Sequence, residues 1–186
     1  LGDEEYREEG EGGETESSDV VYYTEDEMKA VEEHIERCFG KFGNVWHEIK
    51  SQDIHVDICV IPPDDGRDYC TLVTMGMGAR RMNVPENLAE HNLDRAELAI
   101  ALPSDWKLDQ DSIKDENWYW PIRLLKTLAH LPIDCDTWLG WGHTVDNQEP
   151  FAETTKLSAV LLVSAQSKDE DAGVCTLPDG SEVNFY

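Results

Sequence analysis

Two strand-like segments joined by a turn limit the possible folds of this chain more than any other feature. Apolar residues occupy every second position from Ile54 to Val60, a period of two that is typical of a β-strand. Two prolines end this segment, residues 63–66 have the composition of a turn, and residues 69–75 predict a second strand. The chain is therefore expected to contain an antiparallel hairpin within a larger sheet.

Two long helices are predicted beside this hairpin. Thr24 and Glu27 have the spacing of a capping box, and apolar residues at helical spacing follow, which predicts a helix over residues 25–39. A second helix is expected to begin at Pro121, because proline is tolerated in the first turn, and to end at Pro132.

Further strands are interleaved with these two helices. They are predicted over residues 96–102, 137–145, 156–164 and 182–186, with a short helix at 86–93 and a hairpin turn at 178–180. The expected fold class is α+β, a single domain with a mixed or largely antiparallel sheet packed with two main helices.

The charge of the chain excludes several classes of partner. Its 186 residues include 40 acidic and 15 basic side chains, a net charge of −25. Direct binding of nucleic acid or of an anionic membrane surface is not expected, because both require clusters of Lys and Arg.

Residues 1–19 hold nine acids and one base and are rich in Gly, which predicts a flexible acidic tail before a domain at 20–186. The domain itself retains a net charge of −17.

The apolar segments and the cysteines predict a cytoplasmic protein. The longest nearly apolar stretch, residues 157–165, is too short to span a bilayer, and no signal peptide is recognisable. Five widely spaced cysteines without a C-x-x-C pair favour reduced thiols over a disulfide framework.

His55 and Asp57 are the first candidate binding residues. They are expected on one face of the first strand, two positions apart, as a metal-ligand pair or a base with its orienting carboxylate would be. A metal site needs three or four ligands, and the sequence shows only these two together. A solvated or hydrogen-bonded strand face is therefore the favoured interpretation, and no metal or cofactor is predicted.

The segment 138–143 is the second candidate. If it is a strand, Trp141 and His143 point to one side and Trp138 to the other, and the two glycines let a ring, a backbone or a ligand approach. A recognition groove with an aromatic floor and His143 at its rim, and a pair of core tryptophans, are equally well supported.

Arg80 and Arg81 form the only compact basic pair of the predicted domain. They are candidates for contact with an acidic group, although most such pairs are simply solvated. The nearby Gly76-Met77-Gly78 is too incomplete to predict a phosphate-binding loop. No motif of a known catalytic centre is found, so no catalytic residue is predicted.

Several ordered motifs together resemble the suppressor-of-fused domain family, in its bacterial single-domain branch. They are His55-Val56-Asp57-Ile58, Thr71-Leu72-Val73-Thr74-Met75-Gly76-Met77-Gly78, Met82-Asn83-Val84-Pro85, Trp120-Pro121-Ile122, Asp136-Thr137-Trp138-Leu139, Gly142-His143-Thr144, Leu177-Pro178-Asp179-Gly180 and Val183-Asn184-Phe185-Tyr186. The resemblance is close over residues 54–186 and loose over 24–53. It does not include the acidic tail, and similar proteins continue beyond Tyr186, which predicts a domain truncated at its C-terminus.

This resemblance implies a mixed α/β domain without known catalysis. Animal relatives bind and sequester a transcription factor, and bacterial relatives include proposed immunity proteins that neutralise toxins. The chain is therefore predicted to be a non-catalytic protein that occupies or sequesters a protein partner, such as a basic toxin. The alternative is a small-ligand or metal-binding module around His55, Asp57 and His143. The sequence does not indicate the oligomeric state.

Overall fold

The structure is a computed structural model that describes residues 20–49, 51, 53–167 and 170–186. The acidic tail predicted for residues 1–19 lies outside the described residues. The elements, in chain order, are α1 (Glu25–Cys38), β1 (Asn44–Trp46), β2 (Asp57–Ile61), β3 (Tyr69–Met75), β4 (Ala96–Glu97), β5 (Ala99–Pro103), α2 (Glu116–Asp134), β6 (Thr144–Asp146), β7 (Ala159–Leu161), β8 (Val174–Thr176) and β9 (Glu182–Phe185).

The predicted hairpin is confirmed as β2–β3, the centre of a four-stranded antiparallel sheet. The strand order is β1-β2-β3-β5, and Cys59 of β2 pairs with Val73 of β3. All five residues of β2 are buried, although the alternating sequence suggested one solvated face. Both faces of this sheet are therefore covered.

Each face of the central sheet borders its own hydrophobic core. Ile58 and Leu72 point into the core that contains α2, whereas Cys59 and Val73 point into the core that contains α1. Adjacent strand residues project to opposite faces, so β2 and β3 supply apolar side chains to both cores. The fold is therefore a sheet held between two helical layers.

The first helix forms as predicted. The Thr24 side chain accepts a hydrogen bond from the Glu27 backbone N–H, and the Glu27 carboxylate accepts one from the Thr24 backbone N–H. This complete capping box satisfies two backbone donors that the first turn would otherwise leave unpaired.

The predicted start and end of the second helix were wrong. The helix begins at Glu116, because the Asp115 side chain caps it by accepting from the Asn117 backbone N–H. Pro121 is thus inside the helix rather than at its first position, and the helix continues past Pro132 to Asp134. A polar N-cap sets the start of the helix more strongly than the proline does.

Three of the predicted strands are shorter than expected. Residues 96–102 divide at Leu98 into β4 and β5, which belong to different sheets. Residues 137–145 contain a strand only from Thr144, because Gly142, at φ +82°, forms a turn whose N–H donates to the Leu162 carbonyl. Residues 156–164 contain only β7. The short helix expected at 86–93 is a 3-10 helix at Glu86–His91.

Two smaller sheets complete a mixed arrangement. β9 lies between β4, to which it is parallel, and β8, to which it is antiparallel, and the predicted turn at 178–180 joins β8 to β9. β6 and β7 form a two-stranded antiparallel sheet. The α+β class with two main helices is confirmed. Among the described residues, no helix has the length and apolar character needed to cross a bilayer.

Candidate functional site

A cluster of polar side chains surrounds Asp57 at the start of β2. Antiparallel pairing of β1 with β2 places Trp46 opposite Ile58, so the next residue, His47, comes to lie beside Asp57. His47 Nδ1 is 3.0 Å from Asp57 Oδ2, and His55 Nε2 is 3.0 Å from Asp57 Oδ1. The structure thus brings His55 and Asp57 together, although His55 precedes β2 instead of lying on it, and it adds His47, which the sequence analysis missed because β1 was not predicted.

A second layer of hydrogen bonds holds this cluster. Ser51 Oγ lies 2.8 Å from His55 Nδ1 and donates to Glu48 Oε2. The Glu48 carboxylate also accepts from the Val56 backbone N–H and contacts His130 Nε2 of α2 at 3.0 Å. The cluster is therefore connected to both β2 and α2.

Glu48 is ionised in this network. Burial alone would raise its pKa, but hydrogen bonds with His130, the Val56 N–H and Ser51 lower it below the usual value. The same Glu48 contact raises the pKa of His130 above its usual value, against the effect of burial. The two groups thus stabilise each other's charged form.

His143, the third residue of the proposed ligand-binding alternative, does not belong to this cluster. Among the described residues, the group of potential metal ligands around Asp57 contains only His47 and His55. The His143 ring instead contacts Trp138 edge-on, with 4.3 Å between the ring centroids.

The two tryptophans of the segment 138–143 lie outside the buried core. Trp138 is half-buried over Gly140, where an added Cβ would come within 2.4 Å of the indole ring. The close approach expected at a glycine is therefore made by the chain's own Trp138. Trp141 is 69% exposed and stands at the turn before β6.

Trp141 belongs to a group of exposed apolar side chains on the β6–β7 hairpin and its flanks. Leu161 and Val163 alternate with buried Leu162, and the Gly142 N–H donates to the Leu162 carbonyl, so the turn that carries Trp141 is tied to this strand. We call the exposed residues Trp141, Leu157, Leu161 and Val163 the hairpin patch. Large exposed apolar side chains of this kind are typical of binding surfaces.

Arg80 and Arg81 are both paired with acidic residues of the chain. Arg80 lies 3.8 Å from Asp53, and Arg81 forms an ion pair with Asp94. The two arginines line a cavity of about 90 Å³ against the end of α2. Asn83, which follows them, donates to Asp136 Oδ1. The arginine pair and the segment that leads to Trp138 therefore line the same cavity.

The sequence analysis missed a buried carboxylate. Glu97 is fully buried and accepts hydrogen bonds from the Tyr23 hydroxyl, the Thr74 hydroxyl and the backbone N–H groups of Gly76 and Gly78. Burial raises the pKa of Glu97, and the four donors oppose this effect. The glycine loop is therefore an anion-binding turn that is filled by the chain's own carboxylate.

Glycine is required at two positions of this loop because neighbouring atoms leave no room for a Cβ atom. A Cβ on Gly76 would lie 1.9 Å from the His55 carbonyl oxygen, and a Cβ on Gly78 would lie 2.2 Å from the Tyr23 hydroxyl. Because the loop packs against His55 and Tyr23, it supports the polar cluster and encloses Glu97. In the sequence, the pair of glycines after β3 indicated this loop. The glycines did not indicate which anion the loop binds.

The cysteines do not form a reactive centre. Of the five cysteines, all of which the structure describes, only Cys135 is exposed. Burial raises the pKa of Cys59 to about 12 and that of Cys175 to about 11, which keeps both thiols protonated at neutral pH.

Comparison with known proteins identifies a family. A family model described as Suppressor of fused protein (SUFU) matches residues 52–186. The protein named Uncharacterized protein UU111, from Ureaplasma parvum serovar 3 (strain ATCC 700970), is 28% identical over 170 residues, which cover 88% of this chain and 77% of that relative. No solved structure gives a significant match. The family match contains β2 to β9 and α2, whereas α1, β1 and His47 precede it.

Proposed function

The chain belongs to the suppressor of fused family, and from this premise we propose that it is a non-catalytic protein-binding domain that occupies a partner through the hairpin patch. The family suggests a protein-interaction domain. The observation that carries the choice of surface is the exposure of Trp141, Leu161 and Val163 on the β6–β7 hairpin and its flanks. Tryptophan is enriched among residues that dominate binding energy, because it buries a large apolar area when a partner covers it.

We propose further that the partner is basic. Residues 20–186 carry a net charge of −17. The loop between β6 and β7 contains the exposed acids Glu149 and Glu153 and the exposed base Lys156. An apolar surface on a strongly acidic domain suits a partner with an apolar pocket surrounded by Lys and Arg. A toxin that binds nucleic acid would have such a surface, so neutralisation of a basic toxin in the cytoplasm is the specific role we propose.

The ligand-binding alternative has less support. It requires His143 to act together with His55 and Asp57, whereas the His143 ring contacts Trp138.

Arg80 and Arg81 are also proposed contacts for acidic groups of a partner, but each is already paired with an acid of this chain.

The test is affinity capture from the native host followed by measurement of binding with the purified partner. Wild-type protein should retain a basic partner at a one-to-one ratio, and Trp141→Ala should weaken binding by about 2 kcal/mol, roughly 30-fold. The binding is measured by calorimetry, and circular dichroism checks that the variant is folded.

Two valines provide a matched control for the location of the surface. Val163 in the hairpin patch is 46% exposed, and Val174 on β8 is 40% exposed. Val163→Ala should weaken binding, whereas Val174→Ala should leave it unchanged. Equal affinities for the wild type, Trp141→Ala and Val163→Ala would show that the partner binds elsewhere.

A further inference from the structure

We infer that His47, His55 and Asp57 form a binding site for one divalent transition-metal ion of the zinc class. This inference is independent of the proposed partner surface, because none of the three residues belongs to the hairpin patch. One potential ligand atom from each residue lies within 4.8 Å of those from the other two. The nitrogens that face the Asp57 carboxylate are His47 Nδ1 and His55 Nε2. Two imidazole nitrogens and one carboxylate are a known zinc ligand set that leaves a position open for water or another ligand.

The hydrogen bonds around His55 direct its Nε2 toward Asp57. Ser51 donates its single hydroxyl hydrogen to Glu48 Oε2. The 2.8 Å contact between Ser51 Oγ and His55 Nδ1 therefore requires that Nδ1 carry a hydrogen. In a neutral imidazole, the Nε2 lone pair would then face the Asp57 carboxylate at 3.0 Å.

That lone pair and the Asp57 carboxylate oxygen can both coordinate one metal ion placed between them. The arrangement of the other groups favours the metal ion. His47 Nδ1 is directed at the second oxygen of the same carboxylate, and Asp57 Oδ1 also accepts the Glu48 backbone N–H. One metal ion can be coordinated by all three residues at once.

The surroundings match those of an oriented metal site. Metal-binding histidines usually donate their second ring N–H to an oxygen that fixes the tautomer, as His55 does to Ser51. Stacking of His55 on Tyr22, with 5.5 Å between ring centroids, further limits rotation of the ring. The Asp57 side chain is 12% exposed and that of His47 is 72% exposed, so the site is rigid on its inner side and open to solvent on the other.

The chemical class of the ion follows from the ligands. Imidazole nitrogen suits Zn²⁺, Co²⁺ and related ions, whereas Mg²⁺ and Ca²⁺ prefer sites made only of oxygen. An acidic chain also attracts cations without specific binding, so selectivity is part of the proposal. Zinc should remain bound in the presence of millimolar Mg²⁺ and Ca²⁺.

The experiment is calorimetric titration of the chelator-treated full chain with Zn²⁺, together with absorption spectroscopy of the Co²⁺ form. One equivalent should bind, and Co²⁺ should show the intense visible bands of four- or five-coordinate geometry. His55→Gln and His47→Ala should each weaken binding by at least about 100-fold. Ser51→Ala should weaken it by about tenfold while keeping the Co²⁺ bands, because Ser51 positions a ligand without being one.

The matched control is His91→Ala, since His91 is an exposed histidine beside Glu90 outside the cluster. It should bind Zn²⁺ as the wild type does. If His55→Gln fails to fold, His47→Ala decides the question, because the His47 side chain is mostly exposed. The proposal is overturned if no ion binds, if several ions bind equally well to the wild type and His47→Ala, or if Mg²⁺ displaces Zn²⁺.

Discussion

Glu97 connects several parts of the fold through one side chain. Its carboxylate joins Tyr23, which precedes α1, to Thr74 at the end of β3 and to the glycine loop after it. Thr74 also accepts the Leu98 backbone N–H, at the point where β4 and β5 separate into different sheets. A buried charge is normally unfavourable, but four donors compensate for its loss of hydration.

Removing this carboxylate should destabilise the domain strongly. Glu97→Ala leaves the buried donors of Tyr23, Thr74 and the glycine loop without an acceptor, and we expect a loss of about 3–5 kcal/mol in the free energy of unfolding. Tyr23→Phe removes only one donor and should cost about 1 kcal/mol. Urea unfolding followed by tryptophan fluorescence measures both. A Glu97→Ala variant within 0.5 kcal/mol of the wild type would contradict a structural role.

At the scale of elements, the sequence predicts well those helices and strands that depend on residues close together in the chain. The capping box of α1 and the β2–β3 hairpin depend on side chains a few positions apart, and both form as predicted. The start of α2 was misplaced because Pro121 is a stronger signal in the sequence than Asp115, although Asp115 makes the capping bond. The strand expected over residues 137–145 begins only at Thr144 because the backbone at Gly142 adopts a positive φ, which the sequence does not specify.

The polar cluster was only half predictable for a related reason. His55 lies two residues before Asp57, the first residue of β2, so their proximity follows from the alternation of side chains in an extended chain. His47 reaches them only through the pairing of β1 with β2, and β1 has three residues, too few to produce a recognisable pattern. His130 and Glu48 meet through the packing of α2 against this region, and no local pattern relates them.

The contact between His130 of α2 and Glu48 after β1 should make stability depend on pH. The pKa of His130 is raised in the folded state by its hydrogen bond to Glu48, so its contribution is fully present below the ordinary value of 6.5 and is lost as pH rises through the raised value. The pKa of Glu48 is lowered, so its contribution is present above 4.5 and is lost as pH falls through the lowered value. The pair therefore stabilises the fold most between these two limits.

His130→Gln tests this contact, because glutamine can still donate a hydrogen bond but has no charge to lose. Unfolding of the metal-free protein should show a deficit of about 1 kcal/mol against the wild type near pH 5.5, which shrinks by pH 9. His91→Gln, at an exposed position, should show no deficit at either pH. A deficit of the same size at both pH values would mean that His130 acts through packing and not through its charge.

At the scale of the whole molecule, the acidity has two opposite consequences. A net charge of −17 over residues 20–186 opposes compaction by self-repulsion, and it also creates a field that attracts a basic partner. Arg95 and Glu27 form an ion pair whose side chains are mostly buried. Most acidic side chains of the described residues are nevertheless exposed to solvent, where salt screens their charge.

Steering by this field should appear in the association rate with the captured partner. Raising the ionic strength from about 0.01 M to 0.15 M shortens the Debye length from about 30 Å to about 8 Å, so the association rate constant should fall about tenfold or more while the dissociation rate changes little. The charges nearest the contact surface should contribute most. Glu149→Gln with Glu153→Gln, in the loop between β6 and β7, should lower the association rate about threefold at low salt.

The matched control is Glu33→Gln with Glu36→Gln, which removes the same charge from an exposed part of α1. Stopped-flow fluorescence at several salt concentrations measures all three proteins. If both double variants slow association equally, the field acts through net charge alone and does not orient the partner toward the hairpin patch. If neither variant changes the rate and salt has no effect, the partner is not attracted by charge, and the apolar side chains around Trp141 must provide the binding energy without electrostatic steering.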